Sequence, residues 1–311
     1  MNWGKLLAQI LPWLAWLLLV PALGIGGPHT GTFSDTTDAC AGCHRPHQGQ
    51  APGLLTTVSG TSTALCLSCH GSGGVGANTN VEDGIELASG WPLRGGGFAN
   101  AKMDTQLVYR LISRKVTSSH TMDGSLGTAW GGDGPGAGPR ITLECTSCHD
   151  PHGNANYRSL RFSPLGSGEQ RPVAVVGTFR EQIPWPGYTI RGDSYWGQHY
   201  TGLEVELSRW CATCHDRFLG EPAQPPDPLF NHVHPSGTVE VYCLSCHVAH
   251  GTSARMTTGG SAFSSSMPYP DGRVLPPVRT GDERSALLRL DNRGICVQCH
   301  LSSDGQGITR R

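Results

Sequence analysis

Hydrophobic residues are dense at the start of the chain and sparse after it. Leu6–Val20 is a mostly apolar run that follows the basic Lys5, and small residues come next. This order is typical of a secretory signal peptide, so we expect removal of residues 1–26, with cleavage near Gly24 or Gly26. An uncleaved anchor helix is the alternative, which the prolines in and beside the run disfavour.

Beyond residue 26, the apolar and polar positions form regular patterns only over short stretches. They predict short strands at Val173–Phe179 and Thr238–Tyr242 and a short helix at Thr105–Lys115. A short helix is also predicted before each cysteine motif. The stretches Gly131–Pro139 and Glu221–Pro228 have the composition of linkers. The predicted fold class is therefore mostly irregular and coil-rich, with short helices and a few short strands.

The composition explains why regular structure is scarce. Of the 311 residues, only 37% are hydrophobic and 15% are charged, while 43 are Gly and 22 are Pro. Such a chain is either disordered or receives its apolar mass from another component. Its 23 basic and 24 acidic residues include no basic run, so nucleic acid is not an expected partner.

Twelve cysteines favour the second explanation, because all of them fall in six C-x-x-C-H motifs. The cysteines are Cys40, Cys43, Cys66, Cys69, Cys145, Cys148, Cys211, Cys214, Cys243, Cys246, Cys296 and Cys299. The histidines that follow are His44, His70, His149, His215, His247 and His300. This is the signature of c-type haem attachment, in which two thioethers hold one porphyrin and the histidine is the proximal iron ligand.

Disulfides and zinc sites are the alternatives, but neither requires a histidine after every second cysteine. We therefore expect six covalently bound haem c groups. Each haem is a large, rigid apolar plate, so six of them would replace an aliphatic core.

The remaining histidines are ordered along the chain. The predicted distal iron ligands are His29, His47, His120, His152, His234 and His250, with His199 and His232 as alternates. Three motifs have a second histidine three residues after the first, and each of them is preceded by a further histidine. The chain thus reads as one hexahaem unit, residues 27–311, built of three doublets at about 27–130, 131–222 and 223–311.

The trailing histidines His47, His152 and His250 lie too close to their own proximal ligands to bind the same iron. On a helical segment they would face a neighbour, so we expect each to ligate an adjacent haem. Four methionines after the leader could also be distal iron ligands. The surplus of histidines instead favours bis-histidine ligation, which implies low haem reduction potentials. A globule of this length has a radius of gyration of about 19 Å, so the elements are expected to wrap around a contiguous haem chain.

Several stretches carry a family resemblance: PHTGTFSDTTDACAGCHRPH, SSHTM, CHDPHGNANYRSL, RWCATCH and CLSCHVAHGTSA. The chain resembles the doubled C-x-x-C-H multihaem c-type cytochromes of exporting bacteria and archaea. Its hexahaem count is similar to that of filament-forming outer-surface cytochromes, the extracellular cytochrome nanowires. That resemblance implies self-association, with a histidine of the first motif lent to a haem of the next subunit; His47 occupies the matching place.

The leading hypothesis is an electron carrier rather than an enzyme, because bis-histidine irons have no open site for substrate. We expect an exported subunit of an extracellular or cell-surface conductive filament, between upstream electron-donor cytochromes and external acceptors. Membrane contact is expected only through the cleaved leader. The alternatives are a monomeric periplasmic electron shuttle and a multihaem oxyanion reductase with one open haem.

Overall fold

The computed structural model describes nine parts of the chain: residue 29 and residues 38–56, 60–104, 111–129, 139–167, 172–176, 202–215, 243–255 and 287–291. The expected signal peptide, the strand predicted at Thr238–Tyr242, the motif at residues 296–300, and His199, His232 and His234 lie outside these ranges. Among the residues described, no helix combines the length and hydrophobicity that a bilayer span requires.

Regular elements in these ranges are short. The helices are α1 (Asp38–Ala41), α2 (Ser62–His70), α3 (Cys145–Cys148), α4 (Gly202–Cys211) and α5 (Cys243–Cys246), with 3-10 turns at Pro52–Leu54 and Tyr157–Ser159. The strands are β1 (Thr79–Asn80), β2 (Ile85–Glu86), β3 (Asn100–Asp104), β4 (Leu111–Lys115), β5 (Ser118–Ser119), β6 (Leu126–Thr128), β7 (Arg140–Thr142) and β8 (Gly251–Thr252). They pair antiparallel as β1–β2, β3–β4, β5–β8 and β6–β7.

The β3–β4 pair corrects one sequence prediction. The register runs from Asn100 opposite Lys115 to Asp104 opposite Leu111. The predicted helix at Thr105–Lys115 is therefore wrong over residues 111–115, while residues 105–110 lie outside the described ranges. The backbone groups of β4 are paired across the ladder with β3, and this cross-strand partner outweighs the weak local preference for a helix.

The strand predicted at Val173–Phe179 is wrong over its described part, because residues 172–176 have no regular secondary structure. Two backbone hydrogen bonds, from Tyr157 to Val175 at 2.6 Å and from Val173 to Phe162 at 2.7 Å, and the side chain of Asn156 hold this segment. Oδ1 of Asn156 accepts the N–H of Val175 at 2.9 Å, and its Nδ2 donates to the carbonyls of Leu160 at 2.9 Å and Val173 at 3.3 Å. Asn156 is buried, so these bonds satisfy backbone groups that water does not reach.

The apolar core of the described ranges is small. It contains Ala101, Leu160, Val175, Leu203, Leu207, Leu244 and Val248. Helix α4 places Leu203, Leu207 and Trp210 at helical spacing on one face, and the first two are buried. Leu244 and Val248 come from α5 and the turn after it, and Ala101 comes from β3, so the core joins all three doublets.

Consecutive doublets meet through a repeated contact. At the first junction, α2 packs on α3: the Glu144 carboxylate accepts the Ser62 N–H at 2.6 Å, and Thr63 Oγ1 accepts the Cys145 N–H at 3.3 Å. At the second junction, α4 packs on α5, and Ser208 Oγ accepts the Cys243 N–H at 3.1 Å. Thr63 and Ser208 each lie three residues before a C-x-x-C-H motif, so one hydroxyl position serves both junctions.

Replacing Asn156 with Ala should lower the free energy of unfolding by about 2–4 kcal/mol, since buried backbone groups left unpaired cost about 1–3 kcal/mol each. Denaturant unfolding of the two proteins checks this. Ser125→Ala is the control, because Ser125 is exposed and such a change stays within about 0.5 kcal/mol. Equal losses in both variants would contradict the role given to Asn156.

Candidate haem-binding sites

Five of the candidate ligands have the same ring nitrogen turned towards a backbone carbonyl. The Nδ1–carbonyl oxygen distances are 3.0 Å for His29 and Pro151, 2.7 Å for His44 and Gly53, 3.3 Å for His70 and Thr79, 2.7 Å for His120 and Ala249, and 2.8 Å for His149 and Arg158. A carbonyl can only accept, so each Nδ1 carries the proton. Each Nε2 is then left with a free lone pair, which is the form of imidazole that binds metals.

Candidate ligands also face each other in four pairs. The ring centroids are 6.2 Å apart for His29 and His70, 6.2 Å for His44 and His152, 6.3 Å for His120 and His215, and 6.4 Å for His149 and His250. Every pair joins one histidine of a C-x-x-C-H motif to one of the predicted distal histidines.

This spacing fits one iron between each two rings. A metal–imidazole bond is about 2 Å long and the ring centroid lies about 1.1 Å beyond the nitrogen, so opposed ligands have centroids about 6.2 Å apart. Direct ring stacking is closer, as the 4.7 Å between Phe98 and His250 shows. The cysteines beside these pairs fit porphyrin attachment, since the ten described ones form no disulfide. The residues therefore fit bis-histidine haem c.

The pairs follow one register along the chain. His44 and His149 belong to the first motifs of doublets one and two, and each faces the trailing histidine of the following doublet, His152 or His250. In the second motif of each of these doublets, the proximal histidine instead faces the histidine that lies upstream of the first motif of that doublet. These pairs are His29 with His70 and His120 with His215. No trailing histidine in these four pairs faces its own motif.

A second contact obeys the same register. His29 donates to Pro151, the residue before His152, and His120 donates to Ala249, the residue before His250. The backbone N–H of His120 also donates to the carbonyl of His250 at 3.0 Å. Each upstream histidine is therefore held beside the trailing histidine of the next doublet, which places two neighbouring candidate sites side by side.

The remaining candidate ligands are placed differently. His47 is exposed and forms no ring pair with any proximal histidine in the part of the chain described. His247 follows α5 and makes a β-bridge with Leu288. His300 and the candidates His199, His232 and His234 lie outside the described ranges.

Sequence reasoning missed the residues that orient the proximal ligands. Gly53 and Arg158, each nine residues after a proximal histidine, accept its Nδ1–H, and both have left-handed backbones with φ of 75° and 52°. Left-handed conformations outside glycine are uncommon and often mark functional positions. The sequence held only a weak sign of this turn. A leucine, Leu55 or Leu160, lies eleven residues after the proximal histidine and forms a β-bridge with it.

Attachment cysteines of different motifs are in contact at both junctions. A hydrogen bond between the thiols of Cys66 and Cys145 raises the pKa of Cys66 and lowers that of Cys145 to about 7. The thiols of Cys211 and Cys243 form the equivalent pair, in which the pKa of Cys243 falls to about 7. The second motif of one doublet thus touches the first motif of the next through their sulfur atoms.

Close backbone approach positions His250. A Cβ at Gly96, where φ is +72°, would overlap the carbonyl oxygen of Gly251, and the backbone N–H of His250 donates to Gly95 at 2.7 Å. Phe98 stacks on the ring. Burial is the main cause that lowers the pKa of His250 to about 3, so the imidazole is neutral at neutral pH, as a metal ligand must be.

Gly96→Ala should lower the free energy of unfolding by at least about 2 kcal/mol, because a left-handed alanine alone costs about 1–2 kcal/mol and its Cβ has no room. The matched control is Gly73→Ala, where no atom lies within 4 Å of the added Cβ. Denaturant unfolding checks the difference, and the visible spectrum reports the displaced His250. A Gly96→Ala protein as stable as the Gly73→Ala protein would contradict the close approach.

Comparison with known proteins finds one family. Residues 35–74, which hold the first two C-x-x-C-H motifs, match the family model described as "Doubled CXXCH motif". No curated protein and no solved structure matches the chain. The match supports a multihaem c-type cytochrome family, and with it covalently bound haem c and electron transfer.

Proposed function

We propose that the protein transfers electrons through six covalently bound, bis-histidine c-type haems. The observation that carries the proposal is the set of four histidine pairs with centroids 6.2 to 6.4 Å apart, each beside attachment cysteines. The match to the doubled motif supports it independently. The two remaining haems are assigned to the proximal ligands His247 and His300.

The chain itself would do three things in this function. Its cysteines would hold each porphyrin through thioethers, and its paired imidazoles would bind the iron. Backbone carbonyls such as those of Gly53 and Arg158 orient the proximal rings. With two imidazoles bound, the iron would have no open position for substrate, so the haems would supply one-electron transfer and not bond chemistry. A reductase would need one iron with an open position.

The holoprotein should contain six haems per chain, all low-spin and six-coordinate in the assembled state. Pyridine haemochrome analysis and mass spectrometry count the haems, and electron paramagnetic resonance of the oxidised protein reports their spin. A count below six would overturn the hexahaem assignment. A high-spin signal that persists in the assembled protein and responds to cyanide would favour the oxyanion reductase.

The register of the pairs also supports the filament. First-motif histidines His44 and His149 each face the trailing histidine of the following doublet. Continued by one step, the register brings His247 to the trailing histidine of a further doublet. In a head-to-tail assembly this is His47 of a second copy, which therefore ligates the iron held by His247.

The hydrogen bonds made by the upstream histidines can be extended to a second copy in the same way. His29 and His120 donate to the residues that precede His152 and His250. The corresponding acceptor before His47 is Pro46 of the second copy, and the corresponding donor is the upstream histidine of the third doublet, His234 or His232. A solvent-open concavity of about 610 Å³ lies beside this first motif, lined by Gly42, Arg45, Gln48, Gly49, Gln50 and Thr56. It is available to the second copy.

Replacing His47 with Ala should break the filament into single subunits and leave one haem per chain without its distal ligand. Electron microscopy measures filament length, and electron paramagnetic resonance detects the new high-spin haem. Ser125→Ala is the control, because it alters an exposed side chain that does not line this concavity and removes no ligand.

Unchanged filament length and haem spectrum in the His47→Ala protein would refute the exchange of this ligand between subunits. In that case, His199 or His232 of the same chain would be the distal ligand of the iron held by His247, and the protein would act as a monomeric electron shuttle. For the filament we propose export, an extracellular or cell-surface location, supply by donor cytochromes, and delivery to external acceptors.

A further inference from the structure

The two residues between the histidines of each C-x-x-C-H-x-x-H motif differ in chemistry among the three copies. The residue directly after the proximal histidine is basic Arg45 in the first motif, acidic Asp150 in the second and apolar Val248 in the third. This residue lies two positions before the trailing histidine. The three trailing histidines are otherwise equivalent in the repeat, so their surroundings differ most at this position.

In the second motif, the acidic side chain reaches the imidazole. Oδ1 of Asp150 lies 3.4 Å from Nδ1 of His152, and the same oxygen accepts the backbone N–H of His152 at 3.0 Å. The His152 side chain is 79% exposed. If Nε2 bound iron, Nδ1 would carry the proton, with the carboxylate beside it. A carboxylate partner makes a metal-bound imidazole more basic than a backbone carbonyl does.

In the third motif, the imidazole has no such partner. Val248 is buried at 2% exposure, and Nδ1 of His250 is also buried, with a backbone group of Gly96 and not a carboxylate beside the ring. The backbone of Gly96 lies close to the ring, and Phe98 stacks on it. The guanidinium of Arg158 is near enough to lower the pKa of both His149 and His250, so the local charge at this pair is positive.

We infer that Asp150 tunes the potential of one haem: its carboxylate, 3.4 Å from the His152 ring, makes the iron between His44 and His152 harder to reduce than the iron between His149 and His250. A more basic axial ligand stabilises ferric iron, while a weakly donating ligand beside a positive charge stabilises ferrous iron. Each reduction adds one electron to one iron, breaks no ligand bond and leaves the proton on Nδ1. The inference rests on the ligand pairs of the proposed function.

The opposing charge next to His44 does not cancel this effect by a direct bond. Arg45 donates to the Ala41 carbonyl at 3.3 Å and to Gln48 Oε1 at 3.4 Å, not to either ring. Each pair therefore has one arginine nearby, Arg45 beside His44 and Arg158 near His149, and we assign the difference between the two haems to the partners of the distal rings. Asp150 is a positioning and tuning residue that acts through His152.

The test is a redox titration of the haem-loaded protein, followed by electron paramagnetic resonance at fixed pH. Asp150→Asn keeps the oxygen that accepts the His152 N–H and removes the charge. One one-electron step, that of the haem between His44 and His152, should move to a higher potential by about 59 mV, a tenfold change in the equilibrium constant. The other steps should stay in place, and all haems should stay low-spin.

Asp123→Asn is the matched control. Asp123 accepts the backbone N–H of Ser125 at 2.8 Å in the same kind of turn and is exposed. It should move no step. The inference is overturned if Asp150→Asn leaves every potential unchanged in an all-low-spin protein, or if Asp123→Asn produces an equal shift.

A third variant separates this inference from the proposed function. His152→Ala should convert one haem to high spin. If it does not, the ligand assignment fails, and the role of Asp150 fails with it. If His152→Ala gives a high-spin haem and Asp150→Asn changes no potential, only the role of Asp150 is refuted.

Discussion

The distance between facing imidazoles is the constraint on which the rest of this structure depends. Rings with centroids 6.2 to 6.4 Å apart are too far for contact with each other and at the right separation to share one iron. To hold that gap, each ring needs a fixed rotation. The chain provides it by turning five Nδ1 atoms towards backbone carbonyls. Left-handed residues such as Arg158 supply carbonyls that an ordinary helix or strand would use internally.

The described ranges contain little else to hold them together. Their main apolar cluster has seven buried residues and joins the three doublets. Polar contacts add to it at the junctions between doublets, where the hydroxyls of Thr63 and Ser208 each accept one N–H. In the haem-bound protein, the porphyrins would supply the missing apolar contacts, so stability and haem loading should be inseparable. The contacts with the porphyrins would also explain how helices and strands of only two to ten residues can form a stable fold.

The candidate sites could be predicted further than the fold. Cysteine and histidine spacing alone predicted the attachment motifs, because two thioethers to one porphyrin and an adjacent imidazole ligand suit C-x-x-C-H. The predicted helix at Thr105–Lys115 and strand at Val173–Phe179 were wrong in their described parts. In the first case, the cross-strand partner β3 decided the outcome, and in the second, isolated backbone bonds and the side chain of Asn156 took the place of a ladder. Local patterns are weak guides where side chains and loops, not periodic packing, satisfy the backbone.

By itself, the sequence determined which atoms are available: twelve thiols, six histidines beside them and a threefold series of further histidines. Only the tertiary structure decided which histidine faces which. His152 faces His44, more than a hundred residues away in the chain, and not a ring of its own motif. A spacing along the chain is set by covalent geometry. A pair of opposed rings requires two distant segments to meet at one distance and angle, and this depends on the packing of the whole chain.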